Sequence, residues 1–446
     1  MTTFFIEQFG CRATQADGAA IERQLLNGGC SAAPTAALAD IVIVNTCTVT
    51  AAADAQARDA IRKIHSANAK ARIIATGCYA QRAPEDLAAL PGVSHVVGNS
   101  HKPEIPALAL AGAQGFVPLA TLSPAANATE SLSLDRAPAK ILTGNIFEQT
   151  EVLVAPILGG EGNHTRPTLK IQDGCNARCS YCVIPFVRGK SRSLPLQTVL
   201  TEIGRLVASG FREVVLSGIN LGSWGRDLTP RIEFLELLKE ILDQTTLERL
   251  RLSSIESLDV TRDLIDLFAA SDRIAEHFHM PLQSGSDRIL AAMHRWYRSE
   301  HYARRVELIR ERLPQAALGA DVIAGFPGET EDDHIATLAF IERLPFTYLH
   351  VFSFSERPGT RASHLSNPVA PNVIKRRARE LRALGEAKTG EFRREQSGRR
   401  FRALTLHANE SDARSGCTPA LTSNYLRASV AGVHAANQWM DITLSS

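Results

Sequence analysis

Between residues 168 and 354 six short apolar runs are interleaved with amphipathic stretches. Residues 168–172, 213–218, 249–254, 277–282, 318–325 and 348–354 have the apolar character of strands. Residues 196–209, 232–243, 261–270, 287–293, 300–312 and 332–343 have helical spacing. Strands alternating with helices bury both element types best as a parallel sheet with helices outside it. Six units are too few to close an eight-stranded barrel, so the pattern predicts an incomplete (β/α)6 barrel. The loops after its strands are where chemistry belongs.

The first hundred residues carry a shorter version of the same alternation. Residues 4–8, 41–45 and 72–76 read as strands, and residues 19–26 and 51–65 as helices. Ile41-Val42-Ile43-Val44 is apolar without a break, as in a strand buried on both faces. A cysteine follows each strand, in Gly10-Cys11, Thr46-Cys47 and Gly77-Cys78. Open parallel sheets gather ligands along their C-terminal edge, so three cysteines far apart in sequence can converge there.

The densest motif is Asp173-Gly174-Cys175-Asn176-Ala177-Arg178-Cys179-Ser180-Tyr181-Cys182. Three thiolates at CxxxCxxC spacing can hold three corners of a cubane cluster and leave the fourth iron open. Thiolates favour iron–sulfur clusters and zinc. A structural zinc site closes with four ligands, usually in two pairs, and this loop offers neither.

The whole chain, 446 residues with a net charge of +2, names no partner by charge alone. It contains eight cysteines, yet its start lacks a basic leader, and Glu7 interrupts the first apolar run. Pro106 and Pro118 break the longest apolar stretch, leaving nothing to span a bilayer. We therefore expect a cytoplasmic, reducing setting with no membrane association, where clustered cysteines are ligands rather than disulfides. Cys30 and Cys417 have no matching partner and read as ordinary thiols. Residues 371–402 hold eleven Lys or Arg against four Glu, a local excess of +7. That charge suits phosphate contacts, with a solvated helix face as the alternative. Residues 401–406, 425–430 and 439–444 then read as strands of a small all-β module.

The CxxxCxxC loop with its aromatic Tyr181 resembles the radical S-adenosylmethionine superfamily. Phe9-Gly10-Cys11-Arg12, Asn45-Thr46-Cys47-Thr48 and Gly77-Cys78-Tyr79-Ala80-Gln81 resemble the amino-terminal domain of the methylthiotransferases in that superfamily. Leu282-Gln283-Ser284-Gly285-Ser286-Asp287, Gly325-Phe326-Pro327-Gly328-Glu329-Thr330 and Leu421-Thr422-Ser423-Asn424-Tyr425-Leu426 continue the likeness over nearly the whole chain. The branch acting on N6-threonylcarbamoyladenosine in tRNA is the most similar. This chain departs from it at Ala13 and Thr14, where that branch usually has Val-Asn. The other branches act on N6-isopentenyladenosine in tRNA or on an aspartate of a ribosomal protein. A zinc-dependent RNA-binding protein without catalysis is the reading from outside the enzymes.

The resemblance implies an α/β protein in three parts. An amino-terminal parallel α/β domain (1–112) precedes a connector (113–160), a radical S-adenosylmethionine core (161–376), and a basic segment with a TRAM-like RNA-binding β-barrel (377–446). It implies two 4Fe–4S clusters, one on Cys175, Cys179 and Cys182 and an auxiliary one on Cys11, Cys47 and Cys78, both facing one cavity. One molecule of S-adenosylmethionine would supply a methyl group and a second a 5′-deoxyadenosyl radical, placing a methylthio group on adenine carbon 2 at position 37. Tyr181, Gly218, Ser254, Glu256, Asp321 and Gly325 are expected at the cofactor. Arg188, Arg192, Arg295, Tyr297, Arg399 and Arg400 are expected at the RNA. The partners implied are tRNA, an electron donor such as flavodoxin or ferredoxin, and a sulfur source.

Overall fold

The computed structural model describes residues 2–111, 138–153, 155–157 and 165–444, so much of the expected connector lies outside the described residues. Two compact units are formed: Met1–Gln149 with Phe186–Arg188, and Thr150–Pro185 with Gly189–Ser446.

The first unit is one parallel sheet of β1 (Thr3–Gln8), β2 (Ser31–Ala32), β3 (Ile41–Thr46), β4 (Arg72–Gly77), β5 (Val93–Gly98) and β6 (Lys140–Leu142), in the order β2-β1-β3-β4-β5-β6. Its helices are α1 (Arg12–Asn27), α2 (Ala51–Ala67), α3 (Cys78–Arg82), α4 (Pro84–Ala88) and α5 (Ile105–Ala111). The unbroken apolar run of β3 is explained by helices on both faces. Ile41 and Ile43 pack with Ile21, Leu25 and Ile105, whereas Val42 and Val44 pack with Ala57, Ile61 and Ile64. Each such side chain taken out of water contributes about 1.5–3 kcal/mol. Thr50 starts α2 by accepting a hydrogen bond from Ala53 N. Helix α1 begins at Arg12, well before the expected residue 19, and buries Ala13, Thr14, Ala16 and Asp17.

In the second unit, β7 (Pro156–Ile157), β8 (Thr168–Asp173), β9 (Arg192–Ser193), β10 (Glu213–Gly218) and β11 (Arg249–Leu252) form one sheet. Strands β12 (His277–His279), β13 (Ala317–Ala324) and β14 (Tyr348–Ser353) form another. The bridges Leu250 to Ile274 and Ser254 to His279 join the two. The six long-range partners β8, β10, β11, β12, β13 and β14 are thus the incomplete parallel barrel, with the order β11-β10-β8 on one side and β12-β13-β14 on the other. Strand β12 stops at His279 rather than residue 282, because Pro281 has no N–H for a ladder.

The helices that follow are α6 (Ile184–Arg188), α7 (Leu196–Ala208), α8 (Phe234–Gln244), α9 (Arg262–Ala270), α10 (Asp287–Ala292), α11 (Ser299–Arg312), α12 (Glu331–Arg343) and α13 (Pro371–Glu395). Thr330 and Asp333 close a capping box at the start of α12, a motif worth about 1 kcal/mol. The basic stretch is largely α13, and several of its charges are already paired within the protein. Arg377 pairs with Glu329, Arg376 with Glu331 and Glu380, and Lys388 donates to the carbonyls of Glu342 and Leu344.

The chain finishes in an antiparallel sheet of β15 (Arg400–Thr405), β16 (Cys417–Leu421), β17 (Arg427–Ala431) and β18 (Trp439–Thr443), ordered β17-β16-β15-β18, with α14 (Glu410–Arg414) beside β16. It docks on the N-terminal ends of the barrel strands. Arg251 donates to the carbonyls of Thr422 and Ser423 at 3.1 and 3.0 Å, and Asn424 Nδ2 donates to Gln315 O at 3.0 Å. Arg249 stacks over Trp439 at 4.2 Å. Asn424 is buried in this junction rather than displayed to a ligand. Among the described residues no helix is long and apolar enough to cross a membrane.

Candidate active site

Cys11, Cys47 and Cys78 sit just beyond β1, β3 and β4, three adjacent parallel strands. Sheet order reverses between β1 and β3, the place where open α/β sheets leave a crevice for ligands. Two glycines let the cysteine-bearing turns close up. Gly10 has φ +97°, and a Cβ there would lie 2.5 Å from Cys47 Cβ and 2.8 Å from its Sγ. Gly77 has φ +101°, and a Cβ there would lie 2.3 Å from Thr46 O. Burial pushes the Cys47 thiol up to about 11, with Cys78 and then Cys11 adding like-charge repulsion. Asn99 Nδ2 donates to Cys78 Sγ at 3.6 Å. Thr14 Oγ1 lies 3.7 Å from Cys11 Sγ and accepts from Arg188 at 3.4 Å. Asp17 joins Arg188 (3.0 Å) to Lys102 (2.7 Å), all three side chains nearly excluded from solvent.

The second triad lies on the loop after β8. Gln172 fixes this loop by donating to the carbonyls of Asp173 and Gly174 and to Ser191 Oγ, while its Oε1 accepts from Asn220 N. Gly174 takes φ +70° where a Cβ would stand 2.0 Å from Lys190 O. Burial pushes the Cys182 thiol up to about 12, with Cys179 and Cys175 adding repulsion. All eight cysteines are free. Within each triad the thiols feel burial and one another's charge, so they stay protonated until a cationic centre takes the thiolates, and such a set of three sulfurs fits an iron–sulfur cluster.

Around this loop the expected cofactor residues fall into two groups. Arg295 Nη1 donates to Cys179 Sγ at 3.4 Å and pairs with Glu256, and its guanidinium lies 5.0 Å from the Tyr297 ring. Burial pushes the Glu256 carboxyl up, against the pull of Arg295. Tyr181 interacts with Arg295 and packs beside Met293 and Phe326. The second group is a row across the barrel strands: Ser254 Oγ is 2.6 Å from His279 Nδ1, and Asp321 Oδ1 is 3.2 Å from His279 and 3.3 Å from His350. Burial alone would raise Asp321, but the two histidines hold it at about 2. Gly218 ends β10 against Gln172, and Gly325 N donates to Glu329.

Four residues expected at the RNA are interior instead. Arg188 is held by Asp17, and Arg192 donates to the carbonyls of Glu151 and Lys190. Arg295 is held by Glu256, and Tyr297 Oη donates to the carbonyls of Pro281 and Leu282. An ionic or hydroxyl group buried this way needs its internal partners and offers no face to a phosphate. Arg399 and Arg400 are exposed. His279 and His350 were not singled out by sequence. The signal was present in the two-residue spacing of His277 with His279 and of Tyr348 with His350, which puts each pair on one strand face.

Three thiols on one loop at the mouth of an open parallel barrel define a radical S-adenosylmethionine enzyme. Residues 169–341 match the family model "Radical SAM superfamily", and residues 3–98 match "Uncharacterized protein family UPF0004". The chain is 37% identical over 94% of each sequence to the threonylcarbamoyladenosine tRNA methylthiotransferase MtaB of Aquifex aeolicus (strain VF5). It is 32% identical to the tRNA-2-methylthio-N(6)-dimethylallyladenosine synthase of Clostridium tetani, over 85% of this chain and 80% of that one. It therefore belongs to the radical S-adenosylmethionine methylthiotransferase family. The solved radical methyltransferase TsrM of Kitasatospora setae, at TM-score 0.58 and 18% identity over 81% of this chain and 77% of that one, shares the fold.

Proposed function

We propose that this protein is a cytoplasmic tRNA methylthiotransferase that places a methylthio group on carbon 2 of N6-threonylcarbamoyladenosine at position 37. The supporting observation is the near full-length likeness to the Aquifex aeolicus enzyme of that name, beside the two cysteine triads of this chain. Carbon 2 of adenine carries an inert hydrogen, so polar catalysis by side chains has no ready route to it. Iron–sulfur clusters bound at the two triads, with S-adenosylmethionine, supply the one-electron chemistry and the sulfur that this substitution requires.

The chain's own part is to bind and orient. Cys175, Cys179 and Cys182 would hold the cluster at the barrel mouth, and Cys11, Cys47 and Cys78 the auxiliary one. Arg295 lies between Cys179 and Glu256, where it would balance sulfur charge and fix the carboxylate. Glu256, Ser254, Asp321, Gly218, Gly325 and Tyr181 would line the S-adenosylmethionine site. The amino-terminal part (1–112), the core (161–376) and a TRAM-like module (377–446) would divide the labour, with Arg399 and Arg400 on tRNA phosphates. An electron donor such as flavodoxin or ferredoxin and a sulfur source complete the system.

Nucleoside mass spectrometry of tRNA from cells with and without the protein tests this reading. The expected result is loss of the methylthio form of N6-threonylcarbamoyladenosine. Loss on N6-isopentenyladenosine moves the protein to the other tRNA branch, and a methylthio gain confined to a ribosomal protein ends the RNA reading.

A further inference from the structure

Trp296 is 78% exposed, although the residues on either side of it are anchored in the site. Arg295 reaches Cys179, and Tyr297 is buried on the Pro281 and Leu282 carbonyls. The indole is thus held at the rim by a segment whose neighbours cannot swing away. A large aromatic surface left in water forfeits the burial that usually places tryptophan inside.

Its surroundings carry several exposed arginines, beside the exposed Asp287 and Glu300. The cluster loop, the Trp296 loop and the turn at 360–364 are tied together. Ser180 N and Oγ donate to the carbonyls of Met293 and Ala292, and Ala362 N donates to Ser180 O. These segments carry the exposed Arg178, Arg298 and Arg361, with Arg361 3.3 Å from His294. An exposed aromatic ring among arginines is the composition that stacks a single-stranded base and draws in its backbone.

We propose that Trp296 is a stacking platform for an unpaired base of the RNA substrate at the edge of the active site. This rests on the tRNA reading above and names a contact that delivers the anticodon loop to the chemistry.

The test is anaerobic anisotropy titration of the holoenzyme with a fluorescein-labelled anticodon stem-loop carrying N6-threonylcarbamoyladenosine at position 37. W296A should bind about 5- to 150-fold more weakly, W296Y should retain most of the affinity, and the unfolding midpoint should not move. The slope of log affinity against log salt should stay as in wild type, since no phosphate contact is lost. Wild-type affinity in W296A, or a weakened salt slope with full rescue absent in W296Y, overturns the stacking role. Failure of the wild-type holoenzyme to bind the stem-loop overturns the tRNA reading itself, and this inference with it.

Discussion

Tyr425 lies flat against His277, with ring centroids 4.2 Å apart and planes 11° from parallel. The contact joins the carboxy-terminal sheet to the first residue of β12 and continues through the Tyr348 hydroxyl, 2.8 Å from His277 Nε2. Beside it Arg251 stacks over Tyr425 and donates to Glu213 at 2.7 Å. The junction is an ionic cluster roofed by aromatic rings.

Arg251, Arg249 and Arg166 all approach the Glu213 carboxylate. Burial pushes its carboxyl up, but the three guanidinium groups outweigh burial and hold it at about 2. A depressed folded pKa gives stability that is complete above the unfolded value near 4.5 and is lost as pH falls toward 2. Glu213→Gln should cost about 3–5 kcal/mol at neutral pH by leaving buried arginines uncompensated. It should also flatten the acid limb of the stability profile between those values, as read by urea unfolding at a series of pH values. An unchanged acid limb would remove Glu213 from this role.

Gly10→Ala should disturb the auxiliary triad while leaving the barrel folded. The added methyl would meet Cys47 at less than contact distance, in a backbone conformation that disfavours any side chain. Anaerobically reconstituted protein should lose about half its iron and sulfide. Full iron content would show that the turn can yield.

Cys179→Ala should abolish 5′-deoxyadenosine formation, and Cys47→Ala should spare it while stopping methylthiolation. Chromatography of spent cofactor together with nucleoside analysis separates the two. Cofactor cleavage by the Cys179 variant would contradict the assignment of the barrel loop.

Replacing Arg399 and Arg400 with Gln should weaken tRNA binding and lower the salt slope by about 1 to 2. Both are exposed at the start of β15, unlike Arg376 and Arg377, whose charge is already matched by Glu331 and Glu329. Binding that keeps its salt dependence would mark the pair as solvated surface.

Three of the first unit's six strands, β1, β3 and β4, and the six barrel strands were legible because uninterrupted runs such as Ile41–Thr46 have one stable use, between two helical layers; β2, β5 and β6 were not read from the sequence. The cysteine loops were legible because each follows such a run directly. Arg295 and Tyr297 misled: composition marks a cation and an aromatic ring as RNA-contacting, whereas Glu256, Cys179 and two carbonyls brought from distant loops draw them inward. Strand β16 escaped notice because Pro419 interrupts its pattern, although the proline sits in a four-stranded sheet paired with Ser429. Helix α13 was read only as the solvated-face alternative, because a run of charge does not announce its partners on α12 and the turn before it.

Thr422 to Tyr425 stop the barrel from below, where Arg251 and Gln315 grip the loop. Among the described residues this loop therefore covers the end of the barrel opposite the Cys175–Cys182 loop. On the function proposed above, S-adenosylmethionine would enter, and its products leave, on the cysteine side.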